Sequence, residues 1–302
     1  MKKQKTLNIA LFLLVLFSCN AYIHAQNSKI ISDGAELTLV AEDYEFTEGP
    51  AVDSKGNVYF TDQPNDRILK WDRKSNTVST YMQPSGRSNG LYFDHEGNLL
   101  AAADEKNELW KIDSKKNITV LISDFEGKRL NGPNDLWVDP DGGIYFTDPY
   151  YQRPWWNRTE PEIKERRVYY ITPDMKETKI VAEGMVRPNG IIGTPNGKIL
   201  YIADIGGEKT YSFSIEKDGS LTNKKLFVEM GSDGMTLDNE GNVYLTGDGV
   251  SVFDPQGNQI SHIPVNEKWT ANVTFGGSEQ DILFITAMDS VYTLKMNVHG
   301  VR

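Results

Sequence analysis

Six polar residues occupy one equivalent position of an internal repeat, and every one of them carries a side-chain oxygen. Each stands just before a short apolar run that leads through a turn into a second apolar run. The set comprises Glu48, Asn89, Asn134, Asn189, Asp233 and Asn272. Carboxylate and amide oxygens without histidine or cysteine suit a hard divalent cation, calcium first and then magnesium or manganese. Two carboxylates would balance the charge of such an ion and leave coordination places for water or substrate.

A structural interpretation of the same residues stands beside this one. Asn and Asp before a strand are common turn-formers whose side chains cap their own backbone, and each residue taken singly fits that description. Glu48, however, is a poor turn-former and shares the register of the other five. The set as a whole therefore favours a cation site.

The elements that must position these residues are short strands. In the first repeat, Ala51-Val52 and Val58-Tyr-Phe60 flank a turn at 53–57 whose Asp-x-x-Gly-Asn pattern is typical of a hairpin. Two further strands follow in each of the first five repeats, so each unit holds four strands. A repeat of this length indicates a propeller or solenoid. We predict an all-β fold, a six-bladed β-propeller.

The sixth repeat ends after its third strand, near Lys295. Residues 36–41 precede the first repeat and have no other strand to pair with. We predict that this N-terminal strand closes the last blade, which also protects sheet edges that an open array would expose. The propeller then occupies residues 26–302 as one domain.

The innermost strands of a propeller surround its axis, so the six polar residues should converge on one mouth of the central channel, where ligands bind. Arg87 and Arg187 each precede an axial asparagine by two residues; they either face this site or are ordinary solvated arginines. The loops between second and third strands lie on the same face. The longest, at 149–167, is either a lid whose aromatic rings stack on a sugar-like ring or a loop packed on its own blade.

The N-terminus has the pattern of a secretory signal peptide over residues 1–25. Lys2, Lys3 and Lys5 precede an apolar run at 9–17 and a small-residue site at 23–25. We expect export to the periplasm or the extracellular space, with lipidation of Cys19 as a variant because residues 16–19 loosely resemble a lipoprotein box. No apolar stretch of the sequence is long enough to span a bilayer as a helix.

The chain carries a net charge of −10, and removing a signal with three lysines and no acidic residue leaves about −13. This acidity argues against nucleic acid or an anionic membrane as partner and favours a small molecule. His95, His262 and His299 lie outside the axial register, so we expect neither a histidine-based nucleophile nor a histidine zinc site. Aspartates that end second strands recur in several blades and are interpreted as turn-bonding groups: Asp62, Asp104, Asp148 and Asp204.

Motifs along the whole predicted domain resemble the senescence-marker-protein/gluconolactonase (regucalcin-like) family. They are Glu48-Gly-Pro, Arg129-Leu-Asn-Gly-Pro-Asn-Asp135 leading to Tyr145-Phe-Thr-Asp-Pro149, Arg187-Pro-Asn-Gly190 and Ser232-Asp-Gly-Met235. The resemblance implies one divalent metal on the propeller axis, calcium before magnesium, manganese or zinc. It implies that the metal is surrounded by Glu48, Asn134, Asn189 and Asp233, with Asp233 also the general acid/base. It further implies substrate contacts at Arg129, Asn131 and Asn134.

The activity that this resemblance implies is metal-assisted hydrolysis of a sugar lactone. The ion would polarise the lactone carbonyl, and Asp233 would move the proton of the attacking water. One family substrate contact, a glutamate after the second strand of the third blade, has no counterpart at 149–152. Two alternatives stay open, because related propellers hydrolyse phosphotriesters or aryl esters on a similar ion, and because the repeats also resemble the NHL repeats of non-catalytic interaction propellers.

Overall fold

The repeats form antiparallel sheets arranged as blades around an axis. The computed structural model describes residues 29–301; the predicted signal peptide at 1–25 and Cys19 lie outside this range, so both stay predictions. Within that range, six sheets have four strands each, and a two-stranded hairpin lies outside them. The predicted all-β, six-bladed β-propeller is thereby confirmed.

The strands follow the repeats along the chain. The first eleven are β1 (Thr38–Ala41), β2 (Thr47–Val52), β3 (Val58–Asp62), β4 (Arg67–Asp72), β5 (Thr77–Met82), β6 (Ser88–Phe93), β7 (Leu99–Ala103), β8 (Glu108–Ile112), β9 (Ile118–Ile122), β10 (Asp124–Phe125) and β11 (Lys128–Arg129). The next eight are β12 (Leu136–Val138), β13 (Ile144–Asp148), β14 (Arg167–Ile171), β15 (Thr178–Ala182), β16 (Pro188–Gly193), β17 (Ile199–Asp204), β18 (Lys209–Ile215) and β19 (Leu221–Val228). The rest are β20 (Met235–Leu237), β21 (Val243–Gly247), β22 (Gly249–Phe253), β23 (Gln259–Ile263), β24 (Thr270–Gly276), β25 (Ile282–Ala287) and β26 (Ser290–Lys295).

Blades one to five are β2–β5, β6–β9, β12–β15, β16–β19 and β20–β23, and the sixth has the order β1-β26-β25-β24. Short 3-10 turns follow β3 and β17, at Gln63–Asn65 and Ile205–Gly207. No helix in residues 29–301 combines the length and apolar character that a membrane crossing needs.

The turn between the first two strands of a blade has the predicted chemistry. In the first blade, Gly56 adopts a φ of 83°, a conformation that glycine reaches without a Cβ penalty. The Asp53 carboxylate accepts hydrogen bonds from the backbone of Lys55 and Asn57 and from the Asn57 side chain. The aspartates at 94 and 238 bond their own turns in the same way. This pattern fixes where each hairpin reverses.

The inner strands pack against one another in a ring: β2 contacts both β6 and β24, and β16 contacts both β12 and β20. A glycine that follows an axial residue makes this approach feasible. The Gly90 N–H donates to the Asn134 carbonyl at 2.8 Å, and a Cβ at Gly90 would lie 2.4 Å from that oxygen. The Asn-Gly pair of the repeat therefore serves both the site and the packing of the ring.

The N-terminal strand closes the last blade, as predicted. β1 pairs antiparallel with β26, with Thr38 opposite Thr293 and Leu39 opposite Tyr292. The strand begins at Thr38, two residues later than expected. Val40 and Ala41 pack against a cluster of buried side chains that includes Phe60 of the first blade and Phe284 of the sixth. The apolar core thus lies between neighbouring blades, and β1 helps to cover it.

Two local features go beyond the pattern of the repeat. The fourth strand of blade four, β19, has eight residues and begins at Leu221, because a tight turn returns the chain directly to β18 and pairs Ile215 with Leu221. The small hairpin of β10 and β11 was not predicted, since two-residue strands leave no periodic signal in a sequence.

Candidate active site at the axial mouth

Axial residues from neighbouring blades contact one another through their side chains. The Asn189 side-chain N–H group donates to the Asp233 carboxylate at 2.6 Å, and Asn272 donates to Glu48 at 3.2 Å. All six axial residues except Asp233 are among the most buried polar residues of residues 29–301, with Glu48 at 2% exposure. The sequence register therefore brings these groups to one end of the channel.

Asp233 is held by two donors. Besides Asn189, the Trp269 indole N–H donates to the second carboxylate oxygen at 2.6 Å. Burial raises the pKa of Asp233 to about 6, while the two hydrogen bonds and the charge of Arg153 act in the opposite direction. A buried carboxylate with a pKa near neutrality, fixed in orientation, is suited to accept and return a proton.

Glu48 is the second carboxylate of the mouth. Its side chain accepts from the Gly49 N–H at 2.8 Å and from Asn272. Burial raises its pKa well above the usual range, and the negative charge of Asp233 raises it further. The two carboxylates thus repel each other in a site that is shielded from water, and a positive charge between them would relieve that repulsion.

The donor set fits a hard cation. The Asn189 Oδ1 atom is buried and has no hydrogen-bond partner within residues 29–301. A buried amide oxygen left in this state is destabilising unless a ligand binds it. In the same part of the chain, no group of three or more His, Cys, Asp and Glu side chains is arranged to hold a metal. A cation at this mouth would therefore need amide oxygens as well as the carboxylates, which is the composition that calcium accepts.

The predicted substrate-contact residues have different positions. Asn134 is buried, and the backbone approach of Gly90 holds its main chain. The Asn131 side chain is fully buried and donates to the carbonyl oxygens of Asp148 and Glu165. Asn131 therefore ties the ends of the 149–167 loop to the blade, and its Oδ1 atom has no partner among the described residues.

Arg129 lies on β11, away from these contacts. Its side chain is 48% exposed and forms a 3.9 Å ion pair with Glu162, which is worth little in water. The surface hollow that it lines is shared with Glu105 and Glu108. A role of Arg129 in substrate binding stays a prediction from the resemblance.

The 149–167 loop crosses the mouth and contacts the blades on either side of its own. The Trp156 indole N–H donates to the Asp104 carbonyl at 2.8 Å, and Arg153 forms a 2.6 Å ion pair with the Asp104 carboxylate, which is 3% exposed. At the other end, the Tyr151 hydroxyl accepts from Asn189 at 2.9 Å. The loop is therefore not packed solely on blade three, and we call it the lid.

Three guanidinium groups alternate with two aromatic rings across the lid. Arg87 lies 4.6 Å from the centre of the Trp155 ring, and Arg153 lies 5.6 Å from the same ring and 5.4 Å from the Tyr151 ring. Arg187 completes the row, 5.0 Å from Tyr151. We refer to these five residues as the arginine–aromatic ladder. It links the starts of β6 and β16 over the axial residues.

Three of the four aspartates that end second strands bond backbone N–H groups, as interpreted from the sequence. Asp62 accepts from the N–H groups of Glu45 and Phe46, and Asp148 accepts from those of Asn131 and Gly132. Asp204 bonds the N–H groups at 186, 187 and 207 in the same way. Two of the four also accept from side chains: Asp62 from Asn65 and Arg67, and Asp104 from Gln63 and Arg153.

Sequence reasoning assigned no role to Trp269 or Asp135. Trp269 directly precedes β24, as Arg87 and Arg187 directly precede β6 and β16, but it stands three residues before its axial asparagine and the arginines stand two, so the repeat register gave no signal for it. Asp135 follows axial Asn134 and is buried; burial raises its pKa to about 7, although bonds from Leu136, Ile191 and Asn272 oppose the rise. It lines a cavity of about 560 Å³ that opens at the opposite end of the channel.

The histidines lie away from the mouth. His95 contacts the Asp139 carbonyl in a turn, His262 contacts Ser251, and His299 contacts the Glu279 carbonyl. These contacts involve no axial residue.

Comparisons with known proteins agree with this architecture. Residues 46–289 match the family model described as SMP-30/Gluconolactonase/LRE-like region. A gluconolactonase from Zymomonas mobilis is 27% identical over 303 residues, covering 90% of this chain and 84% of that protein. A diisopropyl-fluorophosphatase from Loligo vulgaris is 27% identical over 252 residues, covering 74% and 79%. The solved gluconolactonase of Xanthomonas campestris superposes with a TM-score of 0.83 at 29% identity, covering 89% and 91%.

Proposed function

The chain belongs to the SMP-30/Gluconolactonase/LRE-like family, and we propose that it is a hydrolase that opens sugar lactones at the axial mouth. The observation that carries this proposal is the contact of Asp233 with Asn189 and Trp269 beside a second buried carboxylate, Glu48. The relatives named gluconolactonase, which match most of this chain, support the same substrate class.

We propose that one divalent cation, calcium in the first place, is held by Glu48, Asn134, Asn189 and Asp233. The unbonded buried Oδ1 atom of Asn189 supports this assignment. When bound, the ion would act as a Lewis acid on the lactone carbonyl. Asn189 directs its amide nitrogen toward Asp233, so its amide group would have to turn to present the oxygen.

Asp233 serves as general base and then as general acid. Its carboxylate takes a proton from a water molecule, the resulting hydroxide attacks the lactone carbonyl carbon, and the ring C–O bond breaks. Asp233 returns the proton to the departing ring oxygen, which becomes the hydroxyl group of the open acid. The Trp269 N–H fixes the carboxylate during both transfers.

The lid supplies the remaining functions of the site. Tyr151 reaches the axial asparagine, and the aromatic rings of the lid exclude bulk water from the mouth. Excluding water strengthens the electrostatic interactions within the site. For the N-terminus, we propose that residues 1–25 direct export, so that the enzyme acts on lactones outside the cytoplasm.

The decisive experiment measures proton release from glucono-δ-lactone by wild type and by Asp233→Asn. We expect activity to vanish with chelator and to return with calcium, magnesium or manganese. Asp233→Asn should lower kcat by roughly 10²–10⁴ while some metal binding remains, as measured by calorimetry. Asp141→Asn, in an exposed turn, is the matched control. Near-normal turnover by Asp233→Asn would remove Asp233 from the acid/base role.

A phosphotriester substrate is the second candidate, and the Loligo vulgaris relative named diisopropyl-fluorophosphatase favours it. Metal binding without turnover on a panel of sugar lactones, together with hydrolysis of a phosphotriester, would select this activity. Absence of both metal binding and turnover would favour the non-catalytic interaction propeller.

A further inference from the structure

The arginine–aromatic ladder carries more positive charge than the neighbouring acids balance. Arg153 is paired with Asp104 at 2.6 Å. Arg87 and Arg187, by contrast, have no carboxylate within 4.0 Å in the part of the chain that the structure describes. These two residues stand at equivalent positions, two residues before an axial asparagine. Two unpaired cations therefore flank the mouth on opposite sides of the lid.

Two hydrogen-bond donors in the ladder also lack acceptors, although Arg87 Nη1 donates to the Pro64 carbonyl at 2.6 Å. The Arg87 Nε and Trp155 Nε1 atoms are buried and have no hydrogen-bond partner within residues 29–301. Their side chains are adjacent, with the Arg87 guanidinium 4.6 Å from the Trp155 ring centre. Buried donors without acceptors destabilise a fold unless a ligand satisfies them. Packing alone does not explain them, because an apolar side chain would pack on Trp155 without leaving donors unsatisfied.

The ladder is close enough to the reacting groups to contact the same substrate. Tyr151 lies between Arg153 and Arg187 and bonds Asn189, which bonds Asp233. A sugar ring that places its lactone carbonyl beside Asp233 would therefore extend its far end toward these guanidinium groups.

We infer that the substrate is a sugar lactone bearing an oxyanion, a carboxylate or a phosphate, at the end of the sugar opposite the lactone carbonyl, with Arg187 as the main charge contact. This inference rests on the proposed lactonase function and defines its substrate class. Guanidinium groups form short, charge-assisted hydrogen bonds with such oxyanions. Arg87 and the Trp155 N–H contact the same group or the hydroxyls beside it.

The test compares lactones that differ only in this group. D-Glucaro-1,4-lactone and D-glucono-1,4-lactone differ in a carboxylate against a hydroxymethyl group, and 6-phospho-D-glucono-1,5-lactone and D-glucono-1,5-lactone differ in the phosphate. For at least one pair, we expect kcat/KM of the charged lactone to exceed that of its neutral partner by about tenfold or more at low salt. The ratio should fall as salt screens the arginines. The pair that shows the larger ratio identifies the oxyanion.

Arg187→Gln should reduce this ratio about tenfold, as expected for the loss of one charge-assisted hydrogen bond. Arg187→Lys should retain part of it, because the charge stays while the fork of donors is lost. Arg166→Gln is the matched control: Arg166 is an arginine at the end of the lid whose guanidinium contacts Tyr150 and lies outside the ladder. For Arg166→Gln, the ratio of kcat/KM between charged and neutral lactone should equal that of wild type.

The outcomes separate the two proposals. Turnover of neutral lactones with a ratio near one overturns the anionic-substrate inference and leaves the lactonase function intact. If no lactone is turned over, calorimetric binding of D-glucarate against D-gluconate decides. If the protein binds D-glucarate more tightly than D-gluconate and Arg187→Gln abolishes this preference, the anion site is supported and the lactonase proposal fails. If the protein binds both equally, both proposals are overturned.

Discussion

Buried aspartates in this propeller differ in whether side chains or backbone N–H groups donate hydrogen bonds to them. Asp233 is held by side chains at the axial mouth, whereas Asp148 accepts from the backbone N–H groups of Asn131 and Gly132 and secures the start of the lid. Burial raises the pKa of Asp148 to about 7, although the two N–H groups oppose the rise. This residue therefore makes folding stability depend on pH.

The direction of this pH dependence follows from proton linkage. A carboxyl whose pKa is higher in the folded state binds more protons there, so its contribution to stability is complete below about pH 4 and decreases until about pH 7. A rise of this size corresponds to roughly 4 kcal/mol at most. In chelator, the free energy of unfolding should fall between pH 4 and pH 8 by roughly 2 to 4 kcal/mol more in wild type than in Asp148→Asn.

Urea unfolding at both pH values measures this difference. Asp141→Asn, exposed and in a turn, should behave as wild type. Parallel pH dependence in wild type and Asp148→Asn would mean that Asp148 keeps an ordinary pKa in the folded protein.

At this scale the sequence anticipated that axial side chains meet, because of the repeat, and their roles in metal binding and catalysis stay predictions. Glu48, Asn189 and Asp233 stand out because six copies of one unit show the same register. Trp269 and the Asp104 carboxylate gained no such assignment, because their partners lie 36 and 49 residues away along the chain. A contact of that kind depends on how blades meet, which the pattern within a repeat does not contain.

At the scale of elements, the contacts of the lid with neighbouring blades could not be predicted from the repeat either. Its length and its place between β13 and β14 follow from the spacing of the repeats, but its path across neighbouring blades does not. Two contacts attach the lid to blade two: the Arg153–Asp104 ion pair and the hydrogen bond from the Trp156 N–H to the Asp104 carbonyl. The Asp104 side chain is nearly inaccessible, so removing its charge would leave the largely buried Arg153 guanidinium without a partner, which destabilises more than breaking an exposed ion pair.

Loss of the Asp104 charge should open the lid. Asp104→Asn leaves the Arg153 guanidinium without its carboxylate, and we expect tryptic cleavage after Arg158 or Lys164 to accelerate about tenfold or more, in line with the roughly 1.5–3 kcal/mol of a charged hydrogen bond. KM for the lactone should rise as well. Limited proteolysis followed by mass spectrometry measures the cleavage, and Asp124→Asn, exposed on the small hairpin, is the control. Unchanged cleavage would show that the ion pair does not hold the lid.

At the scale of the whole molecule, the ring depends on a strand from the other end of the chain. A chain that begins at residue 43 lacks β1 and the buried Ile30, exposes the edge of β26 and uncovers the cluster around Phe60 and Phe284. Against a chain that begins at residue 29, we expect a loss of roughly 3 kcal/mol or more, a large part of the 5–15 kcal/mol that stabilise a typical domain. Denaturant unfolding measures it, and size-exclusion chromatography detects pairing through the open edge. Equal stability of the two chains would show that β1 is dispensable.

The pairing of β1 with β26 also sets an order in time. During synthesis β1 emerges before every other strand of the propeller, yet its partner is the last strand along the chain. Blades one to five can each form as soon as their own strands are made, while β1 stays unpaired until β26 has been synthesised. A chain that ends before β26 keeps an open ring with exposed edges, which cellular quality control can recognise. Ring closure is therefore possible only after translation has reached the end of the propeller.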